Sequence, residues 1–193
     1  VNTFGYSDDE WVKAVHEQLT KVQHTSNLYY TEPCARLAEM LCTKTGMKKV
    51  FFSNSGAEAN ECAIKAARKY AFEKKGKDYY KILTLNNSFH GRTLATLKAT
   101  GQDVFHTTFG PFPEGFVYAE ANNFDSFMSV YNENVCAVIM EMVQGEGGVI
   151  PLEKDFVKGL EALSKEYAEM INAANKSYRL TETIQLSFVS TMT

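Results

Sequence analysis

Two segments of this chain carry the residue types from which a binding site is built. Phe52-Ser53-Asn54-Ser55-Gly56-Ala57-Glu58-Ala59-Asn60-Glu61 passes from a short apolar run into a helical pattern, and Ser88-Phe89-His90-Gly91-Arg92-Thr93 follows a second apolar run. In the first, Ser55 can cap a helix, and Gly56 and Ala57 can present free backbone N–H groups. A glycine lets the backbone approach an anion, and a helix N-terminus supplies favourable partial charge. In the second, Phe89 offers an aromatic face for stacking. Arg92, three residues on, has a fork that matches a carboxylate. Together these features describe a site for a flat, phosphorylated cofactor. The pattern G-x-x-x-x-G-K-[ST] is missing, which argues against a nucleotide triphosphate, and no G-x-G-x-x-G follows the first clear strand.

A third segment, Gln144-Gly145-Glu146-Gly147-Gly148, lies just after Glu141. The two carboxylates flank a glycine-rich turn and are suited either to acid–base work or to orienting a cation and capping a loop. A hydrolase built on Ser55, His90 and Glu146 is the competing chemistry. It is disfavoured because Ser53-Asn54-Ser55-Gly56-Ala57 is not a G-x-S-x-G elbow. Each motif also has a plainer meaning. Ser55 to Glu58 reads as a capping box, Phe89 as a core aromatic at a strand end, and Arg92 as one half of a surface ion pair.

The elements that must position these residues follow from periodicity. Ser7-Asp8-Asp9-Glu10 reads as a capping box, with Ser7 as the cap, and Trp11, Val15, Leu19 and Val22 recur at helical spacing to about His24. Asn27 to Glu32 is a polar loop. Pro33 opens a second helix with Leu37, Ala38, Leu41 and Cys42 on one face, and Gly46 ends it. Val50-Phe51-Phe52 predicts a short buried strand. A helix from about Ala57 to Lys75 shows an inner face of Ala59, Cys62, Ala63, Ala66, Ala67 and Tyr70.

Lys81 to Leu85 reads as strand and Arg92 to Ala99 as a short helix. Gly101, Gly110, Pro111, Pro113 and Gly115 mark a long ordered loop. Phe116 to Tyr118 is a strand, Phe124 to Tyr131 a helix, and Val135 to Met140 the strand with the longest apolar run, expected to be buried on both faces. Gln144 to Gly148 is expected as a loop. Lys154 to Tyr167 returns to helix, with Phe156, Leu160, Leu163 and Tyr167 on one face. Strands alternating with helices predict an α/β fold with a mainly parallel sheet, whose ligand lies at the C-terminal ends of the strands. The three polar segments follow Phe52, Leu85 and Met140, so one site can gather them.

The bulk numbers agree with one globular domain. The chain has 193 residues, 45% hydrophobic and 22% charged, with net charge -3 and no long run of one sign. That balance argues against nucleic acid as a partner. No apolar stretch reaches the length of a membrane span, and no secretory signal opens the chain. Cys34, Cys42, Cys62 and Cys136 form no C-x-x-C pair and have no histidine at zinc-ligand spacing, so no metal site is expected. Cys62 and Cys136 read as small buried hydrophobes in a reducing cytosol. The chain opens on Val1 in mid-domain style, and from about Ala168 to Thr193 its periodicity fades into Ser and Thr.

At these residues the chain resembles the class III aminotransferases that use pyridoxal phosphate, and within them the acetylornithine aminotransferase branch. The likeness runs from Val1 to Tyr167. It includes His24-Thr25-Ser26-Asn27-Leu28-Tyr29-Tyr30-Thr31-Glu32-Pro33, Asn54 to Asn60, Ser88 to Thr93 and Gln144 to Gly148. The resemblance implies an incomplete fold type I large domain over residues 1–167, a non-matching tail at 168–193 and no C-terminal small domain. It implies that Gly56 and Ala57, beside Ser55, bind the cofactor phosphate and that Phe89 stacks on its ring. Arg92 would hold the substrate α-carboxylate. Glu146, with Glu141 near it, would manage the substrate side-chain pocket, and Tyr30 would approach the substrate from the neighbouring subunit. Relatives are homodimers. By the same likeness the protein is cytoplasmic and belongs to arginine biosynthesis.

The reaction the resemblance implies moves an amino group from an N-acetylornithine- or ornithine-like amine to a 2-oxo acid, commonly 2-oxoglutarate, and enzymes acting on succinyldiaminopimelate or 4-aminobutyrate share most of these motifs. Met142 departs from the family, which usually has proline there. The larger departure follows Tyr167. Relatives continue into an Asp-Glu-x-Gln strand, whose aspartate pairs with the pyridine nitrogen, and then to the Schiff-base lysine. Lys165 and Lys176 lack that context. The expectation is therefore a fragment of an aminotransferase, inactive alone, with catalytic residues none. The alternative is a non-catalytic protein that binds the cofactor weakly or associates with a full-length relative. Incomplete sheet edges are expected to expose apolar surface.

Overall fold

The computed structural model describes residues 4–26 and 28–174, with side chains of the last helix described as far as Lys165. The chain divides after Phe52 into two units.

In the first unit, α1 spans Asp9–Leu19 and α2 spans Glu32–Thr45. The cap of α1 is Asp8, not Ser7: its carboxylate accepts the Trp11 N–H at 2.8 Å. With Asp8 as the cap the donor served is the Trp11 N–H rather than that of Glu10, and the aspartate adds charge of the sign that the helix N-terminus favours. The helix also stops at Leu19, short of His24. The Thr20 hydroxyl donates to the Glu17 carbonyl at 2.8 Å, and the Gln18 amide donates to the Val22 carbonyl at 2.9 Å. Side chains thus satisfy carbonyls near the helix end and the turn beyond it. Pro33 in the first turn of α2 and Gly46 at φ 73 just past its end follow the expected asymmetry. Neither helix contains a buried residue.

Val50-Phe51-Phe52 is not a strand. It pairs with no strand among the described residues, and Phe51 is 65% exposed. An apolar triplet is a strand only where another backbone satisfies its N–H and C=O groups.

The second unit holds the sheet. β1 spans Lys81–Leu85, β2 spans Phe116–Ala119 and β3 spans Val135–Val138, in the order β2-β1-β3 and all parallel. The sheet is covered on both faces. α3 (Gly56–Lys75) and α4 (Leu94–Ala99) supply one layer, in which Ile64, Ala67 and Ala99 pack on Ile82, Phe116 and Ile139. α5 (Phe124–Val130) and α6 (Lys154–Ala174) supply the other, in which Phe127, Phe156 and Leu160 pack on Leu83, Leu85, Ala119 and Val135. The period of two along β1 sends Ile82 and Leu83 to opposite layers. The strand fully covered on both faces is β1, whose residues Ile82 to Leu85 are each 0% exposed.

The sequence predicts β3 as that doubly buried strand, but it lies at one edge of the described sheet, with β2 at the other. Val135 and Ile139 are buried, while Cys136, Ala137 and Val138 are half-buried. Its apolar run reflects what the residues could pack on, and one long edge has no ladder partner among the described residues. The inner face of α3 is also rotated from the expectation. Ala63, Ile64, Ala67 and Ala71 are buried, with Ile64 and Ala67 in the cluster on the sheet, whereas Ala66 is exposed. Val143–Gln144 (β4) and Ile150–Pro151 (β5) form a two-residue antiparallel ladder where a loop was expected. α6 runs beyond Tyr167 to Ala174, and the side chain of Tyr167 lies outside the described residues, as does residue 27.

Candidate functional site

The first wall of the site is the N-terminus of α3. Ser55 caps it, its hydroxyl accepting the Glu58 N–H at 3.2 Å. The reciprocal half of a capping box does not form. The Glu58 carboxylate instead accepts both the backbone N–H of Asn54 at 2.8 Å and its side-chain amide at 3.0 Å. Two donors on one residue outbid the single N–H of Ser55. The first helical N–H groups, on Gly56 and Ala57, have no intrahelical acceptor and no other partner among the described residues. Gly56 is exposed, and a Cβ placed on it meets nothing within 4 Å.

The second wall is the loop from Ser88 to Thr93 at the C-terminal end of β1, and it is tied down at almost every residue. Ser88 accepts the Gly101 N–H at 3.1 Å, and its carbonyl accepts the Gln102 amide at 3.0 Å. The Phe89 N–H donates to Glu141 Oε2 at 2.9 Å. The His90 N–H donates to Thr100 Oγ1 at 2.9 Å, its Nε2 lies 2.9 Å from Thr84 Oγ1, and its carbonyl accepts the Asn60 amide at 2.8 Å. Thr93 caps α4 and donates to Glu61 Oε1 at 2.5 Å. No buried side-chain polar atom is left unpartnered among the described residues. A loop so fully satisfied holds one conformation and makes a rigid platform.

On that platform Phe89 is half-buried and Arg92 is exposed, with the Arg92 Cζ 5.8 Å from the centre of the Phe89 ring. His90 is 5% exposed, and burial pulls its pKa down to about 4, so it is neutral at pH 7. Its Nε2 is on Thr84, not on Ser55, and the hydrolase triad is not assembled.

The third wall is the segment after β3. Burial raises the Glu141 pKa above its ordinary value, the Phe89 N–H opposes the shift, and the charge of Glu146 adds to it. Glu146 itself is exposed. Gly147 lies against the Asn87 carbonyl, where a Cβ would come to 2.5 Å. Gln144 is 1% exposed and donates to the Asn86 carbonyl at 2.8 Å. These contacts bring the Gln144 to Gly148 segment to the end of β1, as expected. Tyr30 belongs to the first unit, on the turn before α2, with its side chain fully exposed.

Several residues that build the site had no role assigned from the sequence, although Asn60 and Glu61 lie within the first polar segment. Asn60, Glu61, Thr84 and Thr100 act through partners that are distant along the chain or through burial. A cluster of Ser and Thr around a buried histidine was the available clue. Lys165 points its Nζ to Glu161 at 2.7 Å on the exposed face of α6, away from any such role. Lys176 lies outside the described residues. All four cysteines are free, and burial pushes the Cys136 thiol up to about 11. Among the described residues no helix is long and apolar enough to cross a membrane.

The chain is similar to known proteins. The family described as aminotransferase class-III matches residues 1–172. The chain is 52% identical over 164 residues to the acetylornithine aminotransferase of Haemophilus ducreyi, covering 84% of this chain and 42% of that protein. It is 44% identical to the succinylornithine transaminase of Salmonella newport, covering 89% and 42% of the two chains. Among solved structures, an ornithine aminotransferase from Toxoplasma gondii, with partial occupancy of PLP at its active site, superposes with a TM-score of 0.78. That match has 25% identity and covers 84% of this chain and 39% of the other. The chain spans 42% of the length of the curated relatives it matches.

Proposed function

Because the chain belongs to the class-III aminotransferase family, we propose that it forms the cofactor-binding part of an acetylornithine-type aminotransferase. The amine would be ornithine or an N-acylated ornithine, and the acceptor 2-oxoglutarate. The observation that carries the reading is the meeting of the open α3 N-terminus with the Phe89–Arg92 loop. Gly91 packs on Ala57 so closely that a Cβ on the glycine would come within 2.7 Å of the Ala57 Cβ. An anion site and an aromatic face are thereby joined in one unit. That donor set suits pyridoxal phosphate: amide donors for the phosphate, a flat hydrophobic face for the ring and a guanidinium for a carboxylate.

In this reading the N–H groups of Gly56 and Ala57, with the Ser55 hydroxyl, bind the phosphate, and Phe89 orients the ring. Arg92 holds the substrate α-carboxylate. Glu146 serves the far end of the substrate, and Tyr30 approaches it in a homodimer. Pyridoxal phosphate supplies an electron sink when bound, and the chain's own residues orient it and keep the carboxylate in register. His90, neutral and buried, moves no proton. The reading also places the protein in the cytoplasm and in arginine biosynthesis.

Neither Lys165 nor Lys176 stands in a context suited to covalent attachment of the cofactor. The 193 residues by themselves are therefore proposed to bind pyridoxal phosphate without turnover. Titration of the chain with pyridoxal 5′-phosphate, followed by absorbance, should saturate. Gly56→Glu, which sets a carboxylate before the helix N-terminus, should weaken binding about tenfold or more. Absence of saturable binding would overturn the cofactor reading. Transamination of acetylornithine faster than free pyridoxal phosphate achieves would overturn the proposed inactivity alone.

A further inference from the structure

A cofactor with a phosphate at one end and a ring at the other has a fixed length. The two half-sites that take it must therefore be held at one separation. Here the phosphate donors sit on α3 and the ring platform on the loop after β1, segments that are about thirty residues apart in the chain. Three contacts join them directly, one of them the Thr93 hydroxyl donating to Glu61 Oε1 on α3 at 2.5 Å. The Asn60 side-chain amide, one turn into α3, donates to the His90 carbonyl at 2.8 Å. Gly91, at φ 127, rests on Ala57 with no room for a Cβ. The His90 side chain is anchored to Thr84 on β1 and its N–H to Thr100 after α4. The loop that Asn60 grips is therefore itself rigid against the sheet.

We propose that Asn60 is a positioning residue. Through the His90 carbonyl, with Gly91 seated on Ala57, it sets the distance between the phosphate donors of α3 and the Phe89 ring platform. This rests on the cofactor reading above. Asn60 need touch no part of the ligand. It acts by making two weak half-sites bind one molecule at once, so that the second contact is made at high effective concentration. A helix N-terminus and an aromatic loop that moved independently would each keep their own affinity and lose that advantage.

The test uses the full 193-residue chain and three probes followed by calorimetry. Deoxypyridoxine 5′-phosphate carries ring and phosphate but no aldehyde, so stray lysines do not react with it. Deoxypyridoxine carries the ring alone, and inorganic phosphate the anion alone. For the unaltered chain the whole probe should bind far better than either part. If it does not, the cofactor reading fails, independently of Asn60. Asn60→Asp keeps the shape and replaces the donor by an acceptor that faces a carbonyl. It should weaken the whole probe about tenfold or more while both part-probes stay within about twofold. Asn60→Ser, which retains a donor, should recover part of the loss. If Asn60→Asp is too poorly folded to assay, Asn60→Ala and Gly91→Ala serve in its place and should show the same split. An equal loss for all three probes, or no loss for the whole probe, would overturn the inference and leave the cofactor reading standing.

Discussion

Gly101→Ala is expected to cost about 3 kcal/mol of stability, because among the described glycines it is the one where an added Cβ would make the shortest contact. A Cβ at Gly101 would collide with the Leu85 carbonyl oxygen. It would also lie 2.8 Å from the Asn86 Cα and 2.9 Å from the Leu85 carbonyl carbon. All three are backbone atoms of the turn that leaves β1, so no side chain can swing aside. The position is also pinned by its own hydrogen bonds. The Gly101 N–H donates to Ser88 Oγ at 3.1 Å, and its carbonyl accepts the Asn87 N–H at 2.7 Å. Relief of the clash must displace the 85–88 turn, and with it the start of the Phe89 platform. Urea unfolding of the two proteins measures the loss. Gly56→Ala, where a Cβ meets nothing, serves as the control and should lie within about 1 kcal/mol of the parent. A Gly101→Ala protein as stable as that control would show that the turn is not packed as described.

Acidification should strike the same loop. His90 has a folded pKa of about 4 against an ordinary 6.5, because burial disfavours its charged form. Below pH 6.5 the unfolded chain binds a proton there that the folded chain refuses. Stability therefore falls as pH drops from 6.5 towards 4, by about 3 kcal/mol when the window is crossed. Above pH 6.5 this group has no effect. Glu141 works in the opposite sense. Burial raises its pKa, so the folded state takes up its proton more readily than the unfolded one, and acid favours that site. The two are separated by comparison with His90→Gln. The slope of unfolding free energy against pH between 4 and 6.5 should flatten in that variant, while the Glu141 contribution remains. An unchanged slope would place the acid sensitivity elsewhere.

Both predictions concern residues whose importance was only half visible in the sequence. The motif residues were legible one by one. Ser55 does cap α3, Gly56 and Ala57 do present open N–H groups, and Phe89 and Arg92 do stand together at the end of β1. Their partners were not. Glu141 lies 52 residues from the Phe89 N–H that it accepts, and Glu61 lies 32 residues from the Thr93 hydroxyl. The sequence around Ser55 already disfavours His90 as the base of a triad, and only its depth in the loop shows it to be a neutral anchor. Ser7 and the shared Ser55–Glu58 box were misassigned by a single residue each. At α1 the cap moves one residue on, to Asp8 on the Trp11 N–H, and at α3 two Asn54 donors take the Glu58 carboxylate that the Ser55 N–H would have used.

What the amino-acid order settled by itself are the features decided within one or two helical turns. Pro33 and Gly46 bracket α2, Ser55 and Gly76 bracket α3, and alternating strand and helix patterns announce a parallel sheet. Those rules act between residues close in the chain, where covalent geometry already brings them together. What only the tertiary structure decided is which apolar run becomes the covered centre of the sheet and which becomes an edge or no strand at all. β1 is fully buried, β3 lies at an edge, and Val50 to Phe52 pairs with nothing among the described residues. Strand pairing and burial are supplied by segments tens of residues away, and a run of apolar side chains carries no record of which of them will arrive.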